Sequence, residues 1–387
     1  MASATDDMQS VRYGLTPQMA EYDRLLARSS LRWCPHIMFF HPRHYVSRVV
    51  NTDELGFRCG VGPRGEVNFS PSNLAGATEV NLLVGGSVVM GLGCTGDCST
   101  IPSILTRSGM GKAPWVNMGG RGFTSAQELI LFLLMRDRLP AIRHIVLLSG
   151  LNNLVLADPH SEFAVSFGDF FFSQDFAAAM AGTNERYRSR QSLWKRIRPR
   201  ETEQHALGAV QPDNQHAPGE RIGLAVQQIE RDLRHWMLLT AGLDCTLTYV
   251  LQPFATWLDR EPHVSEQTIF ESLDRHAGES GAVDGIRDAE TGRRFRSGVE
   301  ALCARNRVPF VDMNASLSGE RYRDRWLFVD RAHLTDEGCE AAVETVGEVF
   351  SQWQHHAYSS MQASIHRRVY EPLSSEVQGG SIQVGKG

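Results

Sequence analysis

The sequence predicts an α/β fold, a three-layer α/β/α sandwich built on a five-stranded, mainly parallel sheet. Two observations lead there. Short β-branched apolar runs alternate with longer segments of helical period, which is the mark of strand–helix–strand layering. The interval between successive runs is also long enough for a right-handed crossover. Composition agrees: 387 residues, 42% hydrophobic and 21% charged, describe a globular chain with ample length to bury a core.

The strands are expected at 78–85 (TEVNLLVG), 114–118 (PWVNM), 143–149 (RHIVLLS), 244–251 (DCTLTYVL) and 308–312 (VPFVD). Between the first two, a helix is expected to start near Pro102, because proline loses nothing in a first helical turn and Ser99 and Thr100 stand ready as caps. The next helix is expected at 125–138, with Leu129, Phe132, Leu133 and Arg136 at helical spacing. Others are expected at about 221–241, 286–306 and 335–354. One core at 77–354 results, carrying an N-terminal extension (1–76), an insertion at about 155–220 and a polar tail (355–387).

Charge and targeting signals exclude several classes. With 39 basic against 44 acidic side chains the net charge is −5, so no attraction to nucleic acid or anionic lipid is built in. The first residues, MASATDDMQSVRYG, are polar and acidic and do not read as a secretory signal. The apolar runs at 129–135 and 145–148 are too short to span a bilayer. Seven scattered cysteines, an odd number, do not look like a disulfide framework, and a cytoplasmic location is expected.

In open parallel sheets ligands collect beyond the carboxyl ends of the strands. Three strand ends here carry unusual polar, glycine-rich sequence: Gly85-Gly86-Ser87, Asn117-Met118-Gly119-Gly120-Arg121-Gly122, and Ser149-Gly150-Leu151-Asn152-Asn153. A fourth block, Phe328-Val329-Asp330-Arg331-Ala332-His333-Leu334, precedes the last helix. A serine hydroxyl is a poor nucleophile at neutral pH and needs a base, and the base needs an acid partner that holds its tautomer and stabilises its cation. Ser87, His333 and Asp330 offer those three roles. Negative charge developing on an attacked carbonyl oxygen needs preorganised donors. The Ser87 N–H, the Gly122 N–H and the Asn152 side-chain amide are the candidates.

In this order the four blocks resemble the SGNH, or GDSL-like, hydrolases, whose name lists the serine, glycine, asparagine and histidine matched here by Ser87, Gly122, Asn152 and His333. Asp330 matches the third triad member. The stretch Asn51-Thr52-Asp53-Glu54-Leu55-Gly56-Phe57-Arg58 resembles the Asn…Gly-Phe-Arg segment that precedes the serine block in many bacterial members. The likeness covers roughly 51–153 and 308–350. Two departures stand: the family's Gly-Asp-Ser is Gly-Gly-Ser here, and the aspartate following the third-block asparagine is Asn153.

The resemblance implies a flavodoxin-like SGNH hydrolase fold and a cofactor-free serine esterase acting through an acyl-enzyme on a small-molecule ester. An acyltransferase or thioesterase with the same triad, drawing on a thioester or an acyl carrier protein, is the alternative. A non-catalytic binding module on the same fold is a third reading.

Other features have two readings each. Phe163, Phe167, Phe170, Phe171, Phe172 and Phe176 either pack the insertion on the core or wall the site, with Phe167, Phe170, Phe171 and Phe172 as substrate-binding candidates. The basic stretch at 186–200 is either a solvated loop or a dock for an anionic partner. Gly91-Leu92-Gly93-Cys94-Thr95-Gly96 has the spacing of a dinucleotide fingerprint, but it lies past its strand and the next strand does not end in the ribose-binding acid. The groups Cys94/Cys98 and Cys34/His36/His41/His44 lack metal-site spacing, so buried thiols and aromatic–histidine packing are expected there and no metal.

Overall fold

The computed structural model describes residues 4–25, 27, 30, 32–157, 168–181, 218–275, 283 and 285–355. Five parallel strands form the main sheet: β3 (Glu79–Gly85), β4 (Trp115–Gly119), β5 (Ala141–Ser149), β6 (Thr246–Leu251) and β7 (Phe310–Asp312), in the order β4-β3-β5-β6-β7. The expected strands are thus all present, with ends moved by up to two residues, as edge geometry rather than composition decides where pairing stops.

Alternation along the strands sorts side chains onto two faces. Leu82, Val84, Val116, Met118, Ile145, Leu147, Tyr249 and Leu251 face one layer, which holds the helices Ser125–Met135, Pro218–Ala241 and Ala289–Asn306. Leu83, Trp115, Val146, Leu148 and Val250 face the other, made by the helices Ile101–Arg107, Val264–Arg275, Met313–Leu317 and Asp336–His355. The Pro218–Ala241 helix buries Ile222, Ala225, Ile229, Leu233 and Trp236, spaced three or four apart as one helical stripe requires. On Ser125–Met135 the buried apolar residues are Leu129, Leu131, Phe132 and Met135. Leu133 is half exposed, because the buried face, which also takes in Glu128 and Leu131, is rotated about the helix axis away from the expected Leu129/Phe132/Leu133/Arg136 set.

Residues before β3 hold structure that the hydrophobic pattern did not announce. The helices Ala4–Leu15 and Met19–Leu25 precede a small antiparallel pair, β1 (Arg32–Cys34) and β2 (Met38–Phe40). Met19, Tyr22, Leu25 and Val50 share a buried cluster with Met90, Leu92 and Val329, which belong to the blocks around Ser87 and His333. Strands of three residues are too short to show a period.

The chain runs outward from β3 to β4, then returns past β3 to β5. That reversal leaves a crevice at the carboxyl ends of β3, β4 and β5, where the three polar glycine-rich blocks emerge.

Candidate active site

Ser87 opens the short helix Ser87–Met90, two residues past the end of β3, and as a first-turn residue its N–H has no intrahelical carbonyl to reach. The helix stops at Gly91, whose φ of +88° is the left-handed cap that glycine adopts without strain. The formal dinucleotide fingerprint therefore begins as the end of this helical turn.

The histidine comes from far away in sequence. His333 Nε2 lies 2.8 Å from Ser87 Oγ across a separation of 246 residues. Its Nδ1 lies 2.8 and 2.9 Å from the two Asp330 carboxylate oxygens. Asp330 and His333 occupy the tip of a tight hairpin closed by the Phe328–Leu334 bridge and by the Val329 N–H donating to the His333 carbonyl. Asp330 Oδ1 also accepts the N–H groups of Ala332 and His333 at 2.8 and 2.9 Å, so the same carboxylate caps the turn and orients the ring. The loop is anchored from behind by Glu266, a buried residue paired with Arg260, whose Oε1 accepts the N–H groups of Leu327 and Phe328.

Burial pushes the Asp330 carboxyl up, but the charge and hydrogen bond of His333 outweigh it, helped by the Ala332 N–H, and its pKa falls to about 2. A carboxyl lowered in the folded state adds stability that is complete above its unfolded value, about 4. That stability is lost as pH falls through about 2. The urea midpoints of wild type and Asp330→Asn are accordingly expected to converge across this window. A gap independent of pH there would show that Asp330 is not the lowered group.

The two other candidate donors follow the ends of β4 and β5. Asn152, second in the Leu151–Leu156 helix, donates from Nδ2 to the Phe123 carbonyl at 2.8 Å. The same amide lies 2.7 Å from where a Cβ on Gly86 would stand, so a side chain at residue 86 would require the amide to shift. Gly122 holds φ +65° in the loop after β4, with the Phe171 ring 3.0 Å from where its Cβ would be. Asn153 turns inward instead: its Oδ1 accepts the Ser125 N–H, its Nδ2 donates to Ser125 Oγ, and that hydroxyl donates to Asp232.

The structure thus brings Ser87, His333 and Asp330 into one hydrogen-bonded chain and places the Asn152 amide against Gly86, while Gly122 belongs to the loop whose Gly120 N–H donates to the Gly85 carbonyl. Phe170, Phe171 and Phe172 pack on the larger core cluster, and Phe172 and Phe176 meet the β1–β2 pair through edge contacts with Phe39 and Trp33. Phe171 in addition lies against Gly122. Phe163, Phe167, the basic stretch at 186–200 and the tail from 356 onward lie outside the described residues.

Arg58 is the residue whose part the sequence least disclosed. Its fully buried guanidinium pairs with Asp97 at 2.8 Å and donates to the carbonyls of Met90 and Gly91, to the Val49 carbonyl and to the Tyr22 hydroxyl. Asn51 binds the same Asp97, and Asp53 Oδ1 accepts the N–H groups of Leu55, Gly56 and Phe57. The Asn51–Arg58 block therefore folds around Asp53 within it and Asp97 beyond it, and braces the end of the Ser87 helix. A Gly-Phe-Arg motif with nearby acids was the available signal.

No family profile and no curated relative matches the chain. Among solved structures it is similar to a member of the lipolytic G-D-S-L family from Veillonella parvula (11% identity, 70% of this chain and 98% of that one, TM-score 0.39). It is also similar to a GDSL-like lipase from Bacteroides thetaiotaomicron (14%, 71% and 88%, 0.35). A third likeness is to a carbohydrate acetylesterase family member from Sinorhizobium meliloti (13%, 70% and 96%, 0.35). At such identities and scores these likenesses carry no argument about activity.

Proposed function

We propose that the protein is a serine-dependent acyl hydrolase that cleaves a carboxylic ester through an acyl-enzyme on Ser87. The observation that carries this reading is the unbroken chain from Ser87 Oγ through His333 to Asp330, with heavy-atom distances of 2.8 to 2.9 Å. A serine, an imidazole and a carboxylate from two distant chain segments meet in this geometry for few reasons besides proton transfer.

His333 takes the hydroxyl proton as Ser87 attacks the acyl carbonyl, and Asp330 stabilises the resulting imidazolium. The oxyanion is met by the Ser87 N–H, the Gly122 N–H and the second N–H of Asn152 Nδ2, whose first is held by Phe123. The imidazolium returns its proton to the departing alkoxide, and a water activated by the same ring then releases the acid. Phe171, against Gly122, is the apolar neighbour of the acyl group. The seven cysteines, unbridged even where Cys94 and Cys339 bring their sulfurs to 3.5 Å, favour a reducing, cytoplasmic setting.

A fluorophosphonate probe followed by peptide mass spectrometry tests the nucleophile, and a panel of esters and thioesters of graded acyl length tests the substrate class. Labelling at Ser87 with ester turnover is the expected result. Folded protein that leaves Ser87 unlabelled would favour a binding module, and a dominant transfer product in the presence of an added alcohol or amine would displace hydrolysis.

A further inference from the structure

We propose that His41, in the segment before the main sheet, is a positioning residue that sets the oxyanion loop after β4 through the backbone of Arg121. The Arg121 N–H donates to His41 Nε2 at 3.1 Å, and His41 Nδ1 lies 3.0 Å from the Gly56 carbonyl oxygen. The ring is 3% exposed and stacks on Phe40 at 4.5 Å between centroids.

These two partners dictate the protonation of the ring. A backbone N–H only donates and a carbonyl only accepts, so the proton sits on Nδ1 and the Nε2 lone pair faces Arg121. An imidazolium would set one N–H against another. Burial, reinforced by Arg121, Arg32 and Arg58, lowers the ring's pKa to about 4, so the neutral bridge persists at neutral pH.

Both ends of the bridge are anchored. On the far side the Gly56 N–H is held by Asp53 Oδ1, and Arg32 Nε donates to the His41 carbonyl. On the near side the Gly120 N–H donates to the carbonyl of Gly85, two residues before Ser87. The loop is thus tied at two consecutive N–H groups, one to the strand that delivers the nucleophile and one to His41. The next N–H along the chain is that of Gly122, which at φ +65° sits in a glycine-type turn that can reorient its peptides unless its neighbours are pinned. The Arg121 side chain lies over the Phe172 ring at 4.6 Å, so the same bridge also aligns the loop with the aromatic segment.

His41 matters for turnover in this way only if the Gly122 N–H meets the oxyanion, as proposed above. The test uses the full chain and two substitutions that split the bridge. Asparagine puts an amide nitrogen where Nδ1 stood and leaves nothing to accept from Arg121, whereas glutamine carries a carbonyl oxygen out to the Nε2 position. With p-nitrophenyl acetate as probe, His41→Asn is expected to lower kcat by about 10- to 100-fold, with KM within about twofold, as for a misplaced oxyanion donor. His41→Gln is expected to recover most of that loss.

Equal kcat in wild type and in folded His41→Asn overturns the proposal, and so does an equal loss in both variants that follows their loss of stability. Should neither variant fold, the ¹⁵N spectrum of the wild-type ring decides. An Nδ1–H neutral tautomer from pH 6 to 8 supports the bridge, and an Nε2–H form overturns it. Ser87→Ala run beside them separates the two levels. Undiminished turnover in Ser87→Ala removes the acyl-enzyme reading itself, while serine-dependent turnover indifferent to His41→Asn removes only the role of His41.

Discussion

Ser87→Ala is expected to lower the turnover of a responsive ester by roughly 10⁴- to 10⁶-fold, the range seen when a serine nucleophile of a triad is removed. The loss follows from the chemistry: without Oγ there is no atom to form the acyl-enzyme, and His333 and Asp330 are left aligned on an absent hydroxyl. The fold should survive. Ser87 Oγ makes its hydrogen bond with His333, and a single such bond contributes about 1 kcal/mol net. The urea midpoint should therefore shift by no more than that contribution implies. A variant that keeps more than about a hundredth of wild-type kcat lies outside the range for a lost triad nucleophile, and the serine assignment would fail.

Arg58→Met is expected to cost about 3 to 5 kcal/mol of folding stability, the range for breaking a buried ion pair by removing one partner. The guanidinium satisfies five oxygens at once: Asp97, the carbonyls of Val49, Met90 and Gly91, and the Tyr22 hydroxyl. Methionine matches much of the stem's volume but takes the guanidinium donors from those acceptors, of which the Gly91 carbonyl keeps the Tyr22 hydroxyl and the Cys94 N–H. Asp97 keeps its bonds from Asn51, which moderates the penalty without removing it. Two of the carbonyls that lose the guanidinium, Met90 and Gly91, close the Ser87 helix, so labelling of Ser87 should slow together with the fall in the urea midpoint. A stability change below about 1 kcal/mol would mean the site relaxes and readmits water, and the brace would not be structural.

The parts of the site that were legible in the sequence are those encoded over short distances. Gly85-Gly86-Ser87 and Asp330-x-x-His333 are compact because each acts locally. The first is a turn that exposes a hydroxyl, and the second is a hairpin tip whose carboxylate both caps the backbone and meets the ring. Asn152 and Gly122 were singled out as donor candidates only with the other blocks, since a turn asparagine and a turn glycine are commonplace singly. His41 lay in a His/Cys cluster without metal spacing, where aromatic packing was the expectation. The stacking on Phe40 agrees with that expectation, and the hydrogen bond to Arg121 adds to it.

The five strands, five of the helices that flank them, the order of the polar blocks and the members of the Ser87–His333–Asp330 chain were determined by the sequence itself, because period-two and period-3.6 burial and short turn motifs leave a local imprint; the Val264–Arg275 and Met313–Leu317 helices were not foreseen. The tertiary structure alone decided that the segment before the main sheet braces the site. Arg58 reaches Tyr22 across 36 residues and Asp97 across 39, and His41 reaches the Arg121 N–H across 80. Buried polar groups must find partners, but nothing in the neighbourhood of an arginine or a histidine names a partner so far along the chain. The topology of the sheet brings the two together.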